Sequence, residues 1–142
     1  YVVKERSAAA PALVTRVGVR LPAHTTATGR AILSQLSPEQ ITAIYLSDAE
    51  PGAGGNLPTA AVRRLREQLA QARSRGWATE REEISADLGL ISAAALDRGG
   101  LPVAAIGVTF RLSSVRDDGW DVLGEAVQIS AQALEMRVQG KL

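Results

Sequence analysis

Leu90-Ile91-Ser92-Ala93-Ala94-Ala95-Leu96, then Asp97-Arg98-Gly99-Gly100, then Leu101-Pro102-Val103-Ala104-Ala105-Ile106-Gly107-Val108-Thr109-Phe110, is the stretch that decides the architecture. Both flanks are apolar on both alternations, as strands covered on two faces must be. Gly99 and Gly100 between them supply the positive-φ residues that a tight reversal needs. The stretch predicts a hairpin at the centre of a sheet, with other elements packed on each side.

Working outward, Trp77 to Ile84 alternates weakly and is dense in Glu and Arg, which suits an exposed or edge strand. Residues 1 to 6 and Leu13 to Arg20 are two further β-favouring segments, joined by Ser7-Ala8-Ala9-Ala10-Pro11. Leu21-Pro22-Ala23-His24 breaks that pattern, because Pro lacks a ladder donor. A helix follows over about Thr26 to Leu36, with Thr25 or Thr26 as N-cap and Ala27, Ala31, Ile32 and Leu36 towards the core. Ser37-Pro38-Glu39-Gln40 is a capping-box start, and Ile41, Ile44 and Tyr45 follow at helical spacing.

Asp48 to Pro58 is rich in Gly and Pro and reads as an exposed loop. Thr59 to Arg75 places Val62, Leu65, Leu69 and Ala72 on one helical stripe, with Gly76 as the stop. A last helix, from about Val115 to Val138, is capped by Ser114 and carries Trp120, Leu123, Val127, Leu134 and Val138 along one side. The order β-β-α-α-α-β-β-β-α describes an α+β domain with a largely antiparallel sheet.

The chain has 142 residues, 46% apolar and 22% charged, which suits one globular domain. The absence of cysteine excludes a disulfide framework, a thiolate zinc cluster and a cysteine nucleophile, and the cytoplasm is the expected compartment. No apolar run approaches the ~20 residues of a bilayer helix, so no membrane is expected as partner. Sixteen Lys and Arg against fifteen Asp and Glu leave +1, too balanced for a module that holds nucleic acid by its phosphates. Tyr1-Val2-Val3-Lys4 reads as the inside of a strand, and the chain is expected to be an excised domain.

Few residue patterns point to chemistry. Gly52-Ala53-Gly54-Gly55 follows a helix rather than a strand, which removes the phosphate-cradle reading, and no Walker, G-x-S-x-G or H-E-x-x-H pattern occurs. His24 is the only histidine, so a multi-histidine metal site is excluded, and its ring nitrogens are expected to brace the turn before the helix. No cofactor, metal or catalytic residue is expected.

A solvated charged strand accounts for Glu82 and Glu83, whereas Glu80 remains a candidate because an alternate residue there can point into a cavity. Arg63, Arg64, Arg66, Arg73 and Arg75 read as a solvated helix face. Thr25, Thr26 and Thr28, with the unpaired amides of the helix that begins there, can offer donors to a carboxylate. Simple capping accounts for the threonines equally well.

The run from Arg16 to Leu33, Arg-Val-Gly-Val-Arg-Leu-Pro-Ala-His-Thr-Thr-Ala-Thr-Gly-Arg-Ala-Ile-Leu, resembles the signature of the IclR family of bacterial transcriptional regulators. Arg73-Ser74-Arg75-Gly76-Trp77-Ala78, the pair Glu82-Glu83, and Ala93-Ala94-Ala95-Leu96-Asp97 with Gly99 or Gly100 extend the resemblance over about residues 1 to 138. It implies a GAF-like effector-binding domain over residues 1–142: a curved, largely antiparallel sheet flanked by helices, with a pocket on one sheet face. It implies no enzymatic activity. A small organic effector, an organic acid or an aromatic compound, binds in that pocket and modulates a homodimer or homotetramer. Promoter DNA is contacted only through an N-terminal winged helix-turn-helix domain that is absent from this chain.

The family's pocket positions fall here on Leu13, Leu21, Ala27, Thr28, Glu80, Leu88, Leu90, Gly107 and Thr109. Glu80 stands where Asp is frequent, Leu90 where Cys or a small residue can occur, and Gly107 where Ser is common, so the usual small 2-oxo acids fit less well. A ligand carboxylate on the helix amides and a hydroxyl or amine donating to Glu80 are both open. The alternative to a regulator's sensor is a GAF-like ligand-binding module of another signalling protein, with an enzyme behind it.

Overall fold

The computed structural model describes residues 2–5, 17–46 and 57–141. Among these residues the chain forms a short 3-10 turn (Ala23–Thr25), helices α1 (Ala27–Leu33), α2 (Pro38–Leu46) and α3 (Thr59–Arg75), and strands β1 (Ala78–Arg81), β2 (Leu88–Leu96) and β3 (Pro102–Arg111). A second 3-10 turn (Leu112–Ser114) leads to α4 (Gly119–Val138). The sheet order is β1-β2-β3, antiparallel throughout, and α1 and α4 pack on its two faces. The domain is α+β, as the sequence predicts.

The hairpin closes as expected, but Asp97 holds it as firmly as the glycines do. Its Oδ1 accepts from the amides of Gly99 and Leu101, while Gly100 takes φ +78°. Strand β2 starts at Leu88, two residues before the predicted Leu90. The expectation that both hairpin strands are central holds for β2 alone. Strand β3 is the sheet edge among the described residues, and much of it is half-exposed or open. Of the two strands expected at residues 1 to 6 and Leu13 to Arg20, residues 2–5 and 17–20 carry none, and the remainder lies outside the described residues.

Helix α3 keeps its predicted bounds and stripe, with Val62, Leu65, Leu69 and Ala72 buried and Gly76 ending it at φ +93°. The stripe packs on Leu33, Ile41 and Tyr45 to make a helical core beside the sheet. Of the three apolar residues at helical spacing in α2, Ile41 and Tyr45 are buried and Ile44 is exposed. The capping box of α2 is present in both directions: Gln40 N donates to Ser37 Oγ and Ser37 N to Gln40 Oε1. Most of the Gly- and Pro-rich loop, including Gly52 to Gly55, lies outside the described residues.

Two expectations need correction. The edge strand is Ala78–Arg81 rather than Trp77 to Ile84, because Glu82 turns to φ +57° and leaves the ladder. Helix α4 begins at Gly119, not Val115, and Ser114 does not cap it: Leu112–Ser114 is a 3-10 turn, and the Asp118 side chain at the true N-cap makes no capping bond. The buried line of α4 is Gly124, Val127 and Ala131, with Trp120 and Leu123 partly covered, and Val138 is exposed.

At Gly124 helix α4 lies directly on the side chain of Trp77, the residue before β1, for a Cβ there would overlap the indole. Gly124→Ala is therefore expected to cost about 1–3 kcal/mol through overpacking. A lower urea midpoint at unchanged m-value checks this; an unchanged midpoint contradicts the packing.

Candidate functional site

Pairing register decides which side chains share a face. Glu80 lies opposite Leu90 and Leu90 opposite Thr109; Ala78 lies opposite Ser92 and Ser92 opposite Gly107; Leu88 lies opposite Arg111. Directly opposed residues point the same way. Glu80, Leu88, Leu90, Gly107 and Thr109 therefore sit on one face, the face that α1 covers with Ala27 and Ala31 against Leu90, Ala78 and Ala72.

What fixes α1 there is Arg30. Its side chain is only 2% exposed. Its two terminal nitrogens meet Glu83 Oε1 and Oε2 at 2.7 and 2.8 Å, and they also donate to the carbonyls of Thr79 at 2.7 Å and His24 at 3.3 Å. The planar fork of a guanidinium suits this two-point grip on a carboxylate. Glu83, read from the sequence as a solvated charge, is thus the partner of a buried cation and stays 40% exposed itself. Glu82 is also employed: its Oε1 accepts from the Asp87 amide.

The start of α1 is capped by Thr26, whose Oγ1 accepts from Gly29 N. Thr25 turns back to donate to the Pro22 carbonyl. Thr28 differs, for its Oγ1 is buried and has no hydrogen-bond partner among the described residues. Two residues from Arg30, it points about 200° around the helix, away from the Glu83 side.

Glu80 is 5% exposed, and its Oε1 accepts from Ile84 N at 3.0 Å. Burial pushes its carboxyl above the ordinary carboxylate range, and Glu83 adds to this, while the amides of Ile84 and Ala27 and the Arg30 charge act the other way. Among the described residues, His24 braces the turn through its carbonyl, which accepts from Arg30, and through a T-shaped ring contact with Tyr45, and its Nδ1 has no hydrogen-bond partner. Burial, then the Arg30 charge, lowers its pKa. Among the described residues no group of three or more acidic, His or Cys residues could hold a metal ion.

Residues 1–136 match the sequence model of the family described as bacterial transcriptional regulator IclR C-terminal. The chain belongs to the IclR family. It is 32% identical over 124 residues to the transcriptional repressor IclR of Escherichia coli K12, covering 87% of this chain and 45% of that protein. It is 33% identical over 120 residues to the repressor AllR of the same organism, covering 82% and 42%. The chain thus spans somewhat less than half the length of these relatives.

The repressor BlcR of Agobacterium tumefaciens superposes with a TM-score of 0.74 at 31% identity, over 88% of this chain and 51% of that one. The IclR structure from Thermotoga maritima, at 19% identity, shares the fold with a TM-score of 0.75 over 94% and 54%. The GAF-like architecture that the family resemblance implies is therefore the fold of this chain.

Within this IclR-family domain, the register brings Glu80, Leu88, Leu90, Gly107 and Thr109 to one sheet face and Ala27 packs on Leu90 there, with Thr28 next to it on α1 and Leu21 half-buried just before the 3-10 turn. Leu13 lies outside the described residues. Leu88 and Leu90 are buried, whereas Gly107 is open and Thr109 half-open on β3. A side chain at Gly107 would meet Leu90 Cδ1 at 3.0 Å and Ser92 Oγ at 3.2 Å, so glycine leaves the middle of this face low.

Sequence reasoning missed two residues. Ser92 is fully buried on the same face and donates to the Ile106 carbonyl at 2.7 Å; its place in the Leu88, Leu90, Ser92 alternation was the available signal. Arg30 carried no signal, because its partners lie 49 and 53 residues away. The basic helix is also less solvated than expected. Arg66 donates to Thr42, Arg73 to the Ser34 and Leu36 carbonyls, and Arg75 to Trp77 O and Thr79 Oγ1.

Two measurements probe the network. Glu83→Gln is expected to cost about 1.5–3 kcal/mol, because it leaves a desolvated guanidinium half paired. Asp117→Asn, which breaks the exposed Arg81–Asp117 pair, should cost about 0–1 kcal/mol. Equal losses in urea titrations would contradict the difference in burial.

For Glu80, the folded chain keeps a proton that the unfolded chain has released between the ordinary value of 4.5 and the raised one, so stability falls as pH rises through that window. Glu80→Gln abolishes this fall. The Tm of the variant minus that of the wild type should grow as pH is raised from about 4 to about 7, and a flat difference would contradict the assignment.

Proposed function

We propose that this chain is the effector-sensing domain of an IclR-type transcriptional regulator, taking up a small organic molecule on the α1 face of its sheet. The observation that carries the reading is the convergence of Glu80, Leu90 and Thr109 across three strands beneath the start of α1, where Ala27 packs on Leu90 and its amide reaches Glu80; the hydroxyl of Thr28, the next residue, is buried and without a hydrogen-bond partner among the described residues. An unpaired buried hydroxyl costs free energy that a ligand group can recover. Leu88 and Leu90, with Leu21 at the margin, supply the apolar wall.

The polar end selects the ligand. The free amides at the start of α1 are few, because Thr26 takes that of Gly29 and the Glu80 carboxyl stands by that of Ala27. Glu80, raised by burial, holds its proton to higher pH than an exposed glutamate and can donate it to a ligand carboxylate; ionised, it accepts from a hydroxyl. An aromatic or medium-sized organic molecule bearing a hydroxyl or carboxyl group suits both states. The IclR homologue of Microbacterium hydrocarbonoxydans, 22% identical to this chain, is described in complex with such a compound, 4-hydroxybenzoate.

Ligand uptake would shift the balance between homodimer and homotetramer, and thereby DNA binding by an N-terminal domain of the whole regulator, in the cytoplasm. Relatives named as repressors rather than enzymes support a role without turnover. No described helix is long and apolar enough to cross a membrane.

The test is a melting-temperature screen with 4-hydroxybenzoate and a panel of small carboxylates and phenols. At least one compound should raise Tm in a concentration-dependent way, and Thr28→Trp should suppress that shift while the variant still melts cooperatively. A shift that survives Thr28→Trp would put the ligand elsewhere, and no shift across the panel would contradict the ligand class.

A further inference from the structure

Between β1 and β2 the chain makes a loop, residues 82–87, whose base is closed by Glu82 N donating to the Leu88 carbonyl at 2.9 Å. Its two ends, Glu82 at φ +57° and Asp87 at φ +60°, are the non-glycine residues with left-handed backbone among the described residues. A side chain disfavours that conformation, for glutamate more than for aspartate. Strain of this kind persists only where the surrounding contacts over-determine it.

Four carboxylates supply most of those contacts. Ile84 N donates to Glu80 Oε1 at 3.0 Å, and Asp87 N to Glu82 Oε1 at 2.9 Å. Glu83 grips Arg30 of α1, and Asp87 Oδ2 accepts from Arg111 at 3.4 Å. The Asp87 carbonyl also accepts from the Leu112 amide at 3.0 Å, in the 3-10 turn that leads to α4. The loop therefore runs from the buried cation of α1 to the end of β3, with Ile84 and Ser85 half-buried at its middle.

Glu80 belongs to two places at once. It lies on the α1 face opposite Leu90, and its carboxylate holds the middle of the loop. A ligand donor that draws this carboxylate towards itself weakens the bond to Ile84. A ligand that binds the protonated form weakens it too, because a charge-assisted hydrogen bond gives way to a neutral one. Once Ile84 is free, fewer contacts oppose the strain at Glu82 and Asp87.

We propose that residues 82–87 form a strap with two positions, closed while Glu80 holds Ile84 and open when an effector's hydroxyl or carboxyl group engages Glu80. Opening withdraws Glu83 from Arg30 and Asp87 from Leu112, so occupancy of the face is reported both to α1 and to the turn before α4. Parting Arg30 from its carboxylate is costly, which keeps the open form a minor one in the free chain. By linkage, an effector that opens the strap binds the open form more tightly than the closed one. The effector's part rests on the function proposed above, whereas the strap itself is read without a ligand.

Native-state hydrogen exchange on the ligand-free chain at pH 7 is the test. The Ile84, Asp87 and Leu112 amides should share one protection, lower than that of the β2–β3 ladder and insensitive to low urea, while ladder amides lose protection steadily as urea is added. Glu80→Gln keeps the acceptor oxygen but removes its charge, and should speed all three about tenfold with the urea insensitivity preserved. Glu80→Ala should speed them further. Protection that falls with urea alongside the ladder, acceleration at Ile84 alone, or no acceleration in either variant would each overturn the strap. A failed ligand screen would leave this exchange pattern in place, and an absent exchange pattern would leave the ligand site standing.

Discussion

A full positive charge at the centre of a fold is tolerated only when everything around it is arranged to receive it, and Arg30 sits in such a place. Desolvating a guanidinium costs several kcal/mol unless its donors are met. Here they are met by a carboxylate from the turn after β1, a carbonyl within β1 and a carbonyl from the turn before α1. Two stretches far apart in sequence, residues 24–30 and 79–83, are thereby tied together by one side chain. The position of α1 over the sheet follows from this, because a helix of seven residues has too little surface to hold itself in place by apolar contact alone.

Fixing α1 divides the sheet face beneath it. Ala27, Ala31, Ala78, Ala94 and Ala105 let helix and sheet approach closely on one part of the face. Ser92 adds a hydroxyl there but gives it to Ile106 O, so it offers little to a ligand. With Arg30 neutralised by Glu83, the polar groups left with chemistry to offer are the Thr28 hydroxyl and the Glu80 carboxyl. Under the function proposed above, so short a set would select ligands by one or two polar groups and leave the rest of the molecule to apolar contact.

Much of this was legible in the sequence, and the parts that were not have physical reasons. The α3 stripe, the Ser37 capping box and the hairpin reversal are local: neighbours within about ten residues determine them, and they stand as read. The start of α4 was misplaced because Val115-Arg116-Asp117-Asp118 has no residue that forbids a helix, whereas in the fold Leu112 and Val115 pack on the Trp77, Phe110 and Val127 cluster, a contact that local sequence does not reveal. Strand β3 was placed at the centre on its composition, which cannot say whether a further strand pairs with it. For the candidate site, the alternation of Leu88, Leu90, Thr109 and Glu80 was visible, but which face each strand shared required the register. The choice of Gly107 and Leu88 came from the family resemblance. The Arg30–Glu83 pair was invisible, because its members lie 53 residues apart and nothing local to a lone arginine in a helix without other charges says which carboxylate it meets.

Under the function proposed above, the two faces of β2 are what would connect the α1 side of the sheet to the α4 side. Ile91, Ser92 and Ala95 have no exposed surface, and Ala93 has almost none. Alternate residues along this strand touch α1 on one side and the Trp77, Phe110 and Val127 cluster under α4 on the other. A strand buried on both faces packs at close to crystalline density, so a shift imposed on Leu90 or Ser92 would be felt at Ile91 and Ala93. Gly124, held against the Trp77 indole without room for a methyl group, carries that movement into α4. Small residues at the two helix contacts thus serve the same end as the buried cation: they remove slack between the site and the outer surface of the domain.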